Sequence, residues 1–169
     1  GFTHDAHGNR TAAALPNGAV WAWAFDPLGR RRSETSPLGE TTGFAHSYRG
    51  DLLSVHHAGG GVTRYDYDGE QHLTGIVDPE GRPTRIGWGG YHKVVSRTLG
   101  NGETVLLRYD REGHLVAVRN ERGEVHSLAY DPSGLLIEER TFDGTDIFYQ
   151  HDLCGRVVHV DSGPESVVE

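Results

Sequence analysis

The 169-residue chain holds one cysteine, Cys154, and no methionine. A lone cysteine excludes an internal disulfide framework, a CxxC redox pair and a cysteine-rich zinc site. Cys154 itself reads as a spectator thiol. No apolar run exceeds the seven residues 19–25, and most are as short as Leu135-Leu136-Ile137, far short of the ~20 that a membrane-crossing helix needs. No transmembrane segment and no signal peptide is read in the chain. Helix is scarce, because glycine or proline interrupts nearly every 11-residue window and nothing recurs at 3.6 residues. Net charge is −8 with 16 basic residues scattered along the chain, which argues against nucleic acid as a partner. The start at Gly1 and the missing methionine lead us to expect a section of a longer polypeptide.

What the chain has in excess is glycine, 24 residues, about twice the usual share. Those glycines are periodic. Taking Asp110 as an anchor, the equivalent positions are Asp5, Asp26, Ser47, Asp68, Gly89, Asp110, Asp131 and Asp152, each 21 residues after the last. The preceding residue is a ring in all eight units: His4, Phe25, His46, Tyr67, Trp88, Tyr109, Tyr130 and His151. Three residues after the anchor stand Gly8, Gly29, Gly50, Gln71, His92, Gly113, Gly134 and Gly155. Thirteen residues after it a second glycine column runs from Gly18 to Gly144, broken only by Glu165. Residues 1–169 therefore read as a single array of eight 21-residue repeats.

Each column has a physical reading. In Phe25-Asp26-Pro27-Leu28-Gly29 and Tyr130-Asp131-Pro132-Ser133-Gly134, Asp, Pro and Gly occupy positions i, i+1 and i+3 of a type I turn. There the carboxylate accepts the amide two residues on, and Gly supplies a positive φ. The structural turn residues are thus Asp26, Gly29, Asp68, Asp110, Gly113, Asp131, Gly134, Asp152 and Gly155. Upstream, Trp23/Phe25, Tyr65/Tyr67, Leu107/Tyr109 and Leu128/Tyr130 alternate with Ala24, Asp66, Arg108 and Ala129, the period of a half-buried strand. The ring column proper is Phe25, Tyr67, Trp88, Tyr109 and Tyr130, and we expect each ring to stack on the next unit's ring. Downstream, Leu73-Thr74-Gly75-Ile76-Val77 and Leu115-Val116-Ala117-Val118-Arg119 read as a second strand. The fold class is all-β: tandem antiparallel β-hairpins in a ribbon of up to sixteen strands, which twist should curl into a section of spiral shell. Units with Ser47, Gly89, Gln71 or His92 should still pair, with turns of other types. The tail from Asp161 to Glu169 should fray.

The phrases Tyr67-Asp68, Tyr109-Asp110-Arg111-Glu112-Gly113-His114-Leu115 and Tyr130-Asp131-Pro132-Ser133-Gly134-Leu135-Leu136, tandem at 21 residues, resemble the YD repeats of Rhs proteins over essentially the whole chain. The resemblance implies a β-strip shell like those of bacterial Rhs polymorphic toxins, Tc toxin C components and teneurins. In the bacterial members the strip encloses a C-terminal toxin. It implies a non-enzymatic segment whose partner is the remainder of its own parent chain, toxin included. It also implies a protein made in the bacterial cytoplasm and then secreted or displayed as part of that parent. Asp131-Pro132-Ser133-Gly134-Leu135 spells the DPxGL self-cleavage motif of the family, but it sits in the repeat register and a further unit follows, so a plain turn is expected.

Chemistry elsewhere is thin. Among eleven histidines the tightest clusters, His4/His7 and His56/His57, straddle a turn or alternate across a strand, so neither supplies a metal site alone. No cofactor, metal or catalytic residue is assigned, and no GxSxG elbow is present. The alternative function is surface adhesion or carbohydrate binding through Trp21, Trp23, Trp88 and Tyr91. Of these, Trp23 and Trp88 lie in repeat columns and are expected to pack on neighbouring strands, whereas Trp21 and Tyr91 are less constrained. Strand edges at both ends predict self-association: light scattering should report a mass that rises with concentration, and a sharp monomer at high concentration would refute it.

Overall fold

The computed structural model describes residues 1–162, grouped into two compact units that divide between Thr84 and Arg85. The first holds β1 (Phe2–His4), β2 (Arg10–Ala14), β3 (Val20–Phe25), β4 (Arg31–Thr35), β5 (Thr41–His46), β6 (Leu52–His56), β7 (Val62–Tyr67) and β8 (Leu73–Val77). β9 (Pro83–Trp88) begins at its end. The second holds β10 (Val94–Leu99), β11 (Thr104–Tyr109), β12 (Leu115–Arg119), β13 (Val125–Tyr130), β14 (Leu136–Arg140), β15 (Asp146–His151) and β16 (Val157–Ser162). Strand order in the open sheet is chain order, β1 through β16, so the fold is all-β as the 21-residue period predicts. Most of the tail expected to fray lies outside the described residues; Asp161 and Ser162 belong to β16.

Both turns of a repeat use one hairpin geometry. At the first, the Gly29 amide donates to the Asp26 carbonyl (2.9 Å) and the Asp26 amide to the Arg30 carbonyl (2.9 Å). At the second, Gly39 donates to Ser36 (2.9 Å) and Ser36 to Glu40 (2.8 Å). Gly29 and Gly39 adopt φ of 75° and 83°, the left-handed residue that lets a type I turn rejoin a twisted strand. Weaker repeats keep this geometry more often than the sequence suggests. Ser47 makes the same two backbone bonds, and Gln71 takes the glycine's place at φ 68°. The turn after Gly89 does differ: Gly90–His92 forms a 3₁₀ turn with Tyr91 and His92 both left-handed.

The first hairpin carries one residue more than simple alternation allows. Between β3 and β4 the pairs Trp23↔Glu34 and Ala24↔Ser33 give way to Phe25↔Arg31, one step on β3 and two on β4. The same bulge recurs at β5/β6, β7/β8, β11/β12 and β13/β14. Side chains alternate with period two, so an odd repeat would carry each column to the opposite face at every recurrence. The bulge absorbs the odd residue. Trp23 and Phe25 thus share a face, through Glu34 and Thr42, with Phe44 and His46. The opposite face carries Ala22, Ala24, Ser33, Gly43, Ala45 and Ser54, with His56 and Arg64 paired beside Gly43 and Ser54. In the second unit Leu107, Val118, His126, Leu128, Glu139 and Ile147 share the ring face, with Arg108, Ala117, Ser127 and Ala129 opposite.

Neither unit has a core in the usual sense. Buried apolar residues are Ala13 and Val55 in the first unit and Ala117 in the second, and among the described residues no large side chain is fully buried. Backbone ladders and turns therefore contribute to stability alongside half-buried side chains. Gly102 isolates that turn contribution, since a Cβ there would meet nothing within 4 Å while φ is 88°. Gly102→Ala should cost about 1–2 kcal/mol in chemical denaturation from backbone strain alone. Gly59→Ala, equally uncrowded and at no left-handed φ, should be neutral or slightly stabilising.

Candidate functional site: the anchor turn and the ring face

The turn places each anchor carboxylate over its own loop. Asp26 Oδ1 accepts the amides of Leu28 (2.9 Å) and Arg30 (3.0 Å), and its Oδ2 takes Arg30 Nε at 2.7 Å. The same fork recurs as Asp5 with Asn9, Asp68 with His72 and Asp152 with Arg156, and Asp110 keeps the amide and imidazole of His114. Gly113, Gly134 and Gly155 occupy the same left-handed position as Gly29. Asp131 keeps both amide contacts, from Ser133 (2.8 Å) and Leu135 (2.9 Å); its residue four on is Leu135, which has no side-chain donor. The DPxGL letters thus form an ordinary hairpin turn.

The column four residues after the anchor is what sequence reading missed. It runs Asn9, Arg30, Asp51, His72, Lys93, His114, Leu135 and Arg156, with five cations or histidines. In five of the eight repeats (Asn9, Arg30, His72, His114 and Arg156) side chains of different types meet the same Oδ2. At Ser47 the roles reverse, the hydroxyl donating to Asp51 Oδ2 at 2.7 Å. The signal was present as a basic bias at one register.

The same column meets the rings. The His114 imidazole stacks on Tyr130, 16 residues on, at 4.8 Å between centroids. Lys93, whose own anchor is Gly89 and offers no carboxylate, places its ammonium 5.5 Å from the Tyr109 centroid. The expected ring-on-ring stack is replaced here by contact between a ring and the polar side chain of the preceding repeat. Phe25, Tyr67, Trp88, Tyr109 and Tyr130 each end an odd-numbered strand and are half-buried. Tyr130 also donates its hydroxyl to the Leu115 carbonyl at 3.0 Å. Tyr149 donates to Glu139 Oε2 at 3.2 Å, and burial, then the Glu139 charge, push its phenol pKa up.

The remaining candidates have local explanations. His56 Nε2 lies 3.2 Å from Ser54 Oγ, and His57 Nε2 lies 2.8 Å from Thr63 Oγ1. Trp21 is half-buried opposite Ala13, whereas Tyr91 is 82% exposed.

Three stretches, residues 4–41, 46–83 and 109–146, match the RHS repeat family model. They make up more than half of the chain, which belongs to the RHS repeat family. It is 33% identical over 84 residues to the probable deoxyribonuclease RhsB of Dickeya dadantii (strain 3937), covering 49% of this chain and 6% of that protein. It is 28% identical over 134 residues to the double-stranded DNA deaminase toxin A of Burkholderia cenocepacia (strain H111), covering 79% of this chain and 9% of that protein. The chain thus spans less than a tenth of each of these curated relatives. Its fold matches chains in solved structures of TcdB2-TccC3-Cdc42 (TM-score 0.69, 13% identity, 85% of this chain and 9% of that one) and of TcdB2-TccC3 without the hypervariable C-terminal region (TM-score 0.51, 15% identity, 93% and 12%). At such identities the likeness is one of fold.

The turn carboxylates give a pH signature. The Arg30 amide, opposed by partial desolvation and assisted by the guanidinium, holds Asp26 below the ordinary 3.8. The Arg156 amide and then its guanidinium do the same for Asp152. At Asp110 desolvation is the largest influence and acts upward, yet the amide and imidazole of His114 outweigh it. A depressed carboxylate stabilises fully above its unfolded value and loses that contribution as pH falls through its folded value. Thermal melts should therefore fall as pH drops below 3.8. Asp26→Asn should melt lower than the parent chain at neutral pH, with the gap closing in acid; a constant gap would show that the charge contributes nothing.

Proposed function

We propose that the chain is a stretch of wall in an Rhs-type shell, a non-enzymatic segment whose parent polypeptide encloses a C-terminal toxin for delivery to another cell. The observation that carries this reading is the repeating hairpin layer of each unit, with its ring column gathered on one face and no large side chain fully buried among the described residues. Such a layer divides two spaces and holds little sequence outside its repeat columns in which to assemble a reaction centre. The two curated relatives are more than ten times longer than the segments they share with this chain. The deoxyribonuclease and deaminase activities in their names are accordingly assigned to other parts of such chains. The partner is then the rest of the parent chain, and the parent acts outside the cell that made it or at its surface.

Exposed Tyr91 supports a second reading, adhesion to glycans or surface proteins. One experiment separates the two. The parent polypeptide, purified natively, is challenged with a broad protease and the surviving material is weighed intact. Recovery of a protected C-terminal fragment bound to the repeats supports the container. Repeats surviving alone refute it and favour adhesion, in which case Tyr91→Ala should abolish glycan binding.

A further inference from the structure

Five residues after the anchor, six of the eight repeats carry an apolar residue: Leu52, Leu73, Val94, Leu115, Leu136 and Val157. The first two carry Arg10 and Arg31 instead. Since five of those six (Leu52, Leu73, Leu115, Leu136 and Val157) follow the same hairpin turn, the hairpin does not require these guanidiniums. Each brings five N–H donors to a place where the repeat needs none.

Both arginines lie against rings of the first unit. Arg10 Cζ sits 4.2 Å from the Phe2 centroid and Arg31 Cζ 5.9 Å from that of Trp23. With His4, Trp23, Phe25 and the turn residue Gly8 they line a recess of about 320 Å³. That is near the lower end for small-molecule sites, which run from roughly 300 to 1,000 Å³. A Cβ at Gly8 would meet nothing within 4 Å, so open space lies beside that turn.

The nearby acids are largely engaged. Asp5 gives Oδ1 to the amides of His7 and Asn9 and Oδ2 to Asn9 Nδ2, and Asp26 is held by Arg30. Arg31 is paired at one nitrogen with Glu34 Oε2, at 2.9 Å. Residues 1–35 carry four arginines against three acids, a positive stretch in a chain of net charge −8. A guanidinium fork suits the two oxygens of a carboxylate or phosphate, and an indole offers a face for a flat ring.

We propose that this recess binds a small planar anion, a phosphate or carboxylate carried on an aromatic ring or nucleobase. The ring lies against Trp23 and Phe25, and the oxyanion is held by Arg10 and Arg31. This inference is independent of the shell reading.

Isothermal titration of the full chain with adenosine monophosphate, benzoate and inorganic phosphate tests it. At least one ring-bearing anion should bind, with inorganic phosphate about tenfold weaker or more. Which ring anion binds identifies the oxyanion. The double variant Arg10→Leu/Arg31→Leu restores the residue that the repeat uses elsewhere, and should keep its thermal melt while losing about tenfold or more in affinity. Arg10→Lys, which keeps the charge without the fork, should weaken binding as well. Unchanged affinity in the double variant, or no heat from either ring anion up to about 10 mM, overturns the proposal. Inorganic phosphate binding as tightly as adenosine monophosphate overturns the ring's part in it.

Discussion

An odd repeat in a structure that alternates with period two is a conflict that has to be settled once per repeat. The bulge opposite each ring residue settles it. Without the second step on the β4 side at Arg31 and Arg32, the rings of Phe25 and His46 would fall on opposite faces of the sheet. With it, the ring column stays on one face. Everything else about the layer, from the stacking of His114 on Tyr130 to the recess around Trp23, presupposes that sorting.

Stability in such a layer is local. Among the described residues Ala13, Val55 and Ala117 are the buried apolar ones, so the energy is spread over half-buried side chains, ladder hydrogen bonds, turns held by carboxylates, and contacts between a turn and the ring of the next repeat. Repeats of this kind add their contributions nearly linearly, with a term for each neighbour. A weak turn such as that after Gly89 can then be tolerated, because no distant packing depends on it.

The turns were legible in the sequence because turn chemistry is written in few letters: Asp for the amide fork, Gly for the left-handed φ. So was the strand alternation around Trp23 and Tyr65. The column of Arg30, His114 and Arg156 was not, since different side chains do the same work there and a search for repeated letters passes over it. The bulge escaped for a similar reason. Its residues, Arg31-Arg32 in one repeat and Leu52-Leu53 in another, share no identity, although the odd period required an irregularity somewhere. Gln71 shows the converse, a glycine position filled by a side chain while its turn keeps both backbone bonds.

Sheet order that copies chain order means that, within each unit, strands are bonded to their neighbours in sequence. Contacts of such short sequence separation cost little loop entropy to close, and chains built from them fold fast. A polypeptide leaving the ribosome could therefore close one hairpin after another without waiting for a distant partner. Drawn out from one end by a mechanical load, it would yield strand by strand, each step breaking a single ladder, and it would close again from whatever part remained.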